Sequence, residues 1–335
     1  MESITSLNPM SFQVAWELTL KCNMDCTYCA DGHDNSTDHT EFSKCLDTID
    51  FILEYINVQL SNRKHKIAGL NIQGGESLHH PKIVEILKYI NLKKQDYKYN
   101  LSVALITNLV AGSNTISKIV PNVDFFTVSY HAEMLPKQLD LFKQNLLKLK
   151  SADKNFNVKI MMHPSKWSES IDMIDFCETN DLPYYMSQID HHWMDTRFYY
   201  SKEQIKYITG KDPINFLAKL GSLSSQDRGC CGGNSFCVDG CEVKRVSNKF
   251  KNWYCTVDKY FLYVRQYTGE VFTNKDCRMN WDGGIGAIGS LDNTAAIIDK
   301  VKKGTPVIQC KKSKCWCGIC APKSKQLQNL QMPAG

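Results

Sequence analysis

An α/β fold built on a parallel sheet is what the first 190 residues predict, on three observations. First, six short runs are rich in β-branched and aromatic residues: Phe12 to Leu20, Ala68 to Ser77, Leu101 to Asn108, Asp124 to His131, Val158 to His163 and Tyr184 to Asp190. Second, the segments between them, roughly 41–60, 82–93, 113–119, 136–150 and 168–179, carry apolar residues at helical spacing. Third, the two kinds of run alternate strictly, and a helical crossover is what a parallel strand pair needs.

The first run delivers Lys21-Cys-Asn-Met-Asp-Cys-Thr-Tyr-Cys-Ala30 to its C-terminal end. The helix over 41–60 follows from Phe42, Leu46, Ile49, Leu53 and Ile56, which share one face. The second run ends in Gly74-Gly75-Glu76, the third in Asn108, the fourth in Ser129 and His131, the fifth in Met161, Met162 and His163. The sixth leads into Asp190, His191 and His192. Ligands of parallel sheets sit at the strands' C-terminal ends, so these residues form the candidate site. Cys45 and Cys177 fall on apolar helix faces and read as packing residues.

Cys22, Cys26 and Cys29 let one tight loop present three thiolates to a single inorganic group. Three thiolates leave one iron of a [4Fe–4S] cubane without a protein ligand, a place where a small molecule can bind and be reduced. A structural zinc site is the competing reading, with His33 or His39 as fourth ligand. Paired glycines permit close backbone approach to a ligand, and a carboxylate beside them can hold an ammonium group.

A strand followed by Cys-x3-Cys-x-Tyr-Cys, and about 45 residues later a strand ending in Gly-Gly-Glu, resembles the radical S-adenosylmethionine (radical SAM) superfamily. The resemblance implies a partial (βα)6 TIM-like barrel over 1–195. It implies that Cys22, Cys26 and Cys29 bind a [4Fe–4S] cluster and that Gly74, Gly75 and Glu76 hold the methionyl amine of S-adenosylmethionine. Asn108, Ser129 and His131 would touch its carboxylate or ribose, and Asp190, His191 and His192 would be acid–base candidates facing the substrate. Reductive cleavage of the cofactor to a 5′-deoxyadenosyl radical, and hydrogen abstraction from a substrate, are the activity implied.

Composition changes abruptly past a polar bridging segment, 196–229. Within 230–321 lie Cys230, Cys231, Cys237, Cys241, Cys255, Cys277, Cys310, Cys315, Cys317 and Cys320, followed by a short polar tail, 322–335. Cys255 and Cys277 flank a hairpin-like pair of runs, Tyr260 to Val264 and Val271 to Thr273. With the later close-set group this resembles the auxiliary-cluster extension called SPASM, or its shortened Twitch form. One or two further [4Fe–4S] clusters are therefore expected, with those ten cysteines as candidate ligands and zinc as the alternative at either group. The spacing Cys310-x4-Cys-x-Cys-x2-Cys320 departs from the usual pattern and leaves the division of ligands open. Gly284 to Gly289 satisfies GxGxxG but lacks the preceding buried strand and following helix that give that fingerprint meaning, so no dinucleotide is expected.

No stretch of 18 apolar residues occurs, and the amino terminus lacks the basic start and apolar core of a signal peptide, so a soluble cytoplasmic protein is expected. The formal charge of +5 counts thiols as neutral. Clusters with four thiolates carry about −2 each, which removes the argument for nucleic acid. Expected partners are a peptide or small-molecule substrate and a reducing protein such as flavodoxin or ferredoxin, with no membrane. The SPASM resemblance favours a peptide or protein side chain as substrate. The alternatives are a metabolite, sugar or nucleoside, and, outside enzymes, an iron–sulfur or zinc module that binds nucleic acid. The first strand begins at about residue 12, so no leader-recognition domain of the usual kind is expected before it, which weakens the peptide expectation.

Overall fold

The computed structural model describes residues 3–4, 11–29, 34–35, 38–63, 66–189, 200–210, 227–228, 235–236, 250–274, 277, 285–304, 307–311 and 323–327. Each anticipated unit is present. Strand β1 (Ser11–Thr19) is followed by α1 (Phe42–Leu60), β2 (Ile67–Gly74), α2 (Ile83–Lys93), β3 (Asn100–Thr107) and α3 (Ser113–Ile119). Then come β4 (Phe125–His131), α4 (Pro136–Ser151), β5 (Asn155–Met162), α5 (Trp167–Thr179) and β6 (Tyr184–Gln188). Strands β1 to β6 pair in chain order, all parallel. Helix α6 (Lys202–Gly210) falls in the bridging segment.

Period-two alternation explains which face each strand buries. Phe12, Val14, Trp16 and Leu18 are fully buried in the main apolar core, as are Leu70 and Ile72 of β2 and Val128 of β4. They meet Ile49, Ile52, Leu53 and Ile56 of α1, together with Ile86 and Leu146 of α2 and α4. Cys45 and Cys177 lie in this core with no exposed surface. The opposite face of the sheet is polar: Gln13 and Glu17 on β1, Asn71 and Gln73 on β2, Thr127, Ser129 and His131 on β4. A sheet with one apolar and one polar face wraps its polar side into a lumen and its apolar side under helices.

The hairpin predicted near 260–273 forms, but it does not stand apart from the barrel. Strand β7 (Phe261–Arg265) pairs parallel to β1, with Leu262 opposite Val14 and Arg265 opposite Glu17. Strands β8 (Glu270–Phe272) and β9 (Gly289–Ser290) continue the same sheet antiparallel, giving the order β9-β8-β7-β1-β2-β3-β4-β5-β6. Leu262 and Val264 are fully buried on the helix side, each burial contributing about 1.5–3 kcal/mol. The Trp16 indole N–H donates to Gln266 Oε1 at 2.9 Å. Covering β1 this way also removes an unpaired sheet edge.

Helix α7 (Thr294–Lys302) packs against α1 through Ile297 and Val301. Gly289 lies under it: a Cβ there would sit 2.5 Å from Ile297 Cγ1, which accounts for one glycine of the GxGxxG run by packing. A small second sheet joins Ser3–Ile4, Lys323–Ser324, Tyr254–Cys255 and Ile308–Gln309. No described helix is long and apolar enough to cross a membrane.

Candidate cluster and cofactor site

The chain leaves β1 at an irregularity: the register with β2 shifts between Glu17 and Thr19. Directly beyond stand Cys22, Cys26 and Cys29, all of intermediate exposure. Their loop is gripped almost residue by residue. The Cys22 amide donates to Asn35 Oδ1 (3.0 Å), and Cys29 N–H turns back to the Cys26 carbonyl (3.1 Å). Asn23 donates to the Val110 carbonyl (2.7 Å), accepts from Asn108 Nδ2 (2.7 Å), and its own carbonyl accepts from Gln138 Nε2 (3.0 Å). Glu133 accepts from the Thr27 amide (2.8 Å) and the Thr27 hydroxyl (2.6 Å). The Tyr28 hydroxyl lies 2.8 Å from His131 Nδ1, and the two rings stack at 5.7 Å. Outside this loop a cavity of about 460 Å³ is lined by Cys22, Asn23, Met24, Asp25, Asn35, Glu133, Leu135 and Gln138.

The Gly-Gly-Glu turn at the end of β2 is laced to that loop by backbone. Gly75 N–H donates to the Thr19 carbonyl (2.7 Å) and Glu76 N–H to the Lys21 carbonyl (2.8 Å). Gly74 has φ +149°, and a Cβ on it would lie 2.3 Å from the Thr19 oxygen; one on Gly75 would lie 2.4 Å from the Lys21 oxygen. The glycine pair thus serves close approach to the cysteine-bearing chain itself.

The Glu76 side chain is turned into the fold, where ammonium binding was the expectation. It is 1 % exposed and accepts from Leu78 N (2.8 Å), Thr107 Oγ1 (2.7 Å) and Asn108 N (2.6 Å). Burial pushes its carboxyl above the usual range. It fastens the end of β3 to the turn. Asn108 is likewise committed, donating to Asn23 and accepting from Val110 N (2.9 Å). Ser129 is half-buried on the polar face beside Lys159, and His131 pairs across to Met161. Burial, with Lys159 nearby, brings the His131 pKa down to about 4, and burial also lowers His163. Both imidazoles are neutral at pH 7.

Of the acid–base candidates, Asp190, His191 and His192 lie outside the described residues. Sequence reasoning passed over Asn23, Glu133 and Gln138. The signal for Glu133 was its position, two residues past the end of β4, where strand-end side chains converge on the loop.

Of the C-terminal cysteines, Cys230, Cys231, Cys237, Cys241, Cys315, Cys317 and Cys320 lie outside the described residues. Cys255, Cys277 and Cys310 are described, and none is in a disulfide. Cys255 is 6 % exposed in an apolar nest of Phe250, Val257 and Tyr260, with Cys277 packed against it. Cys310 follows the strand that pairs with Tyr254–Cys255, its amide donating to the Trp253 carbonyl (2.8 Å). Cys277 thus packs on the nest around Cys255, and Cys310 lies two residues past Ile308, which pairs with Cys255.

Burial raises Cys22 to about 11 and Cys26 to about 12, Glu133 adding to the latter. Such thiols stay protonated until a cation takes the proton's place. No three His, Cys, Asp or Glu side chains among the described residues converge on one point as a single tetrahedral ion demands. His33 lies outside the described residues, and His39 is placed against Thr19 and His80. Cys22, Cys26 and Cys29 supply three thiols from one loop, the number that a cubane with one open iron takes.

No protein-family model and no curated relative matches the sequence. Among solved structures, native anSMEcpe with bound AdoMet and Kp18Cys peptide matches with a TM-score of 0.56 at 13% identity, over 86% of this chain and 80% of that one. Native anSMEcpe with bound AdoMet gives 0.56 at 13% over 85% and 80%, and the hexahistidine-tagged form with AdoMet 0.54 at 15% over 86% and 80%. anSMEcpe is a radical SAM protein of the SPASM kind. This chain has the radical SAM fold. The likeness extends well past the six barrel strands, since 86% of the chain reaches beyond β6. Within the radical SAM fold the laced cysteine and Gly-Gly-Glu loops occupy the C-terminal mouth of the sheet.

Proposed function

We propose that the chain is a radical SAM oxidoreductase that reductively cleaves S-adenosylmethionine and abstracts hydrogen from a side chain of a peptide or protein. The observation that carries the proposal is the lacing of the Cys22–Cys29 loop to Gly75 and Glu76 at the strand ends. When bound there, a cubane with one open iron supplies the electron and a seat for the cofactor's amine and carboxylate.

Cys22, Cys26 and Cys29 bind three irons. The backbone of Gly74 and Gly75 would hold the methionyl amine, and Glu76 fixes that turn through Leu78, Thr107 and Asn108. Asn108 orients Asn23 and thereby the start of the loop. Tyr28, hydrogen-bonded to His131, and Ser129 would line the place taken by the cofactor's adenosyl part. Asp190, His191 and His192 are assigned to the substrate side. Cys255, Cys277 and Cys310, with partners among Cys230, Cys231, Cys237, Cys241, Cys315, Cys317 and Cys320, hold auxiliary clusters. The peptide in the anSMEcpe complex supports a peptide substrate here.

Anaerobically reconstituted, dithionite-reduced protein is expected to convert S-adenosylmethionine to 5′-deoxyadenosine and methionine, and Cys26→Ala to lose that activity entirely. A fully active Cys26→Ala protein overturns the proposal. Iron counting separates one auxiliary cluster, about eight irons per chain, from two, about twelve.

A further inference from the structure

Glu133 spends both carboxylate oxygens on one residue of the cysteine loop. Oε2 accepts the Thr27 amide at 2.8 Å and Oε1 the Thr27 hydroxyl at 2.6 Å. Thr27 lies between Cys26 and Cys29, and Glu133 lines the same cavity as Cys22. The carboxylate is only 15% exposed, so solvent screens it weakly. Among the described residues the cationic candidate beside it is His163, whose Nε2 stands 3.7 Å from Oε1. That imidazole accepts the Ser165 amide on Nδ1 at 3.2 Å, which requires an unprotonated nitrogen and leaves the ring neutral beside Glu133.

The reduction potential of an iron–sulfur cluster is set by local charge, by hydrogen bonds to its sulfurs and by exposure. Nearby anions disfavour the extra electron, and donors aimed at sulfur favour it. We propose that Glu133 holds down the reduction potential of the cluster bound by Cys22, Cys26 and Cys29, by placing a carboxylate against their loop and by drawing both donors of Thr27 to itself. Glu133 is in this sense a positioning and tuning residue, which touches neither iron nor substrate. The inference rests on the function proposed above.

The test is a potentiometric titration of the full-length reconstituted protein, followed by EPR on the signal that changes when S-adenosylmethionine is added. That response singles out the cluster with an open iron from any auxiliary one. Glu133→Gln is expected to move the midpoint to a less negative potential with iron content unchanged, and Glu133→Asp, which keeps the charge, to stay near the parent value. An unchanged midpoint in Glu133→Gln, an equal shift in both variants, or loss of iron from either overturns the tuning role. Absence of any S-adenosylmethionine-responsive signal in the parent protein is a different failure, that of the proposed function.

Discussion

Two sets of three cysteines stand at opposite ends of one sheet. Cys22, Cys26 and Cys29 follow the C-terminal end of β1, whereas Cys255 and Cys277 lie below β7 and β8, level with the start of β1, where Gln13 N–H meets the Tyr260 carbonyl at 2.8 Å. Nine residues of strand at about 3.3 Å each put the two ends roughly 30 Å apart. The front set is held by polar side chains, Asn108 from the end of β3, Gln138 from α4, and His131 and Glu133 from the end of β4. The rear set is held by backbone pairing and an apolar nest. The same residue type thus sits in polar surroundings at one end and against apolar ones at the other.

The largest expected contrast is chemical. Cys26→Ala should abolish cofactor cleavage, while Cys277→Ala should lose about four irons yet still release 5′-deoxyadenosine. Equal abolition by both, read by chromatography of the products, would break the distinction between the ends.

Next comes the lacing of the front loop. In Gly75→Ala the added Cβ meets two carbonyl oxygens, of Lys21 at 2.4 Å and of Leu20 at 2.5 Å. The backbone has to move, at about 1–3 kcal/mol in a urea melt. Iron affinity of the front set should fall about 10–100-fold, with the rear set unaffected.

Acid should also separate the two ends. Burial lowers His80, beside the Gly-Gly-Glu turn, to about 4, and His131 to about 4. Every histidine of the chain precedes residue 193, so β7 and β8 carry none. A base whose folded pKa is depressed is neutral in the fold, and below about 6.5 the unfolded chain takes up protons that the fold refuses. Stability is therefore complete above pH 6.5 and declines toward pH 4, by at most about 1.4 kcal/mol per pH unit for His80, with His131 acting in the same direction. Hydrogen exchange between pH 7 and 4.5 should show β4 and the turn after β2 loosening before β7 and β8. The smallest effect belongs to Gly112→Ala: nothing lies within 4 Å of its Cβ position, so a change within about 0.5 kcal/mol is expected.

Much of this was legible in the chain. The six strands and five helices of the barrel appear within a few residues of their expected bounds, because each alternation of apolar residues is local and each segment has one face to bury. Cys22, Cys26 and Cys29 were legible because their spacing is a property of a single loop. The hairpin was legible as a hairpin, but its union with β1 was not, since parallel pairing between Gln13 and Phe261 spans 248 positions (261 − 13) and leaves no short-range mark. Glu76 looked like a ligand because a carboxylate beside two glycines is ambiguous until its neighbours are known, and those neighbours, Thr107 and Asn108, come from another strand.

The sequence by itself determined the strand–helix alternation, the polar lumen face and the three-thiol loop, since all three depend on residues a few places apart. Tertiary structure alone decided what each polar side chain does. Hydrogen bonds such as Glu133 to Thr27 and Asn108 to Asn23 join residues 106 and 85 places apart. Whether a carboxylate binds a ligand or ties a loop depends on which donors the folded chain brings within 3 Å of it.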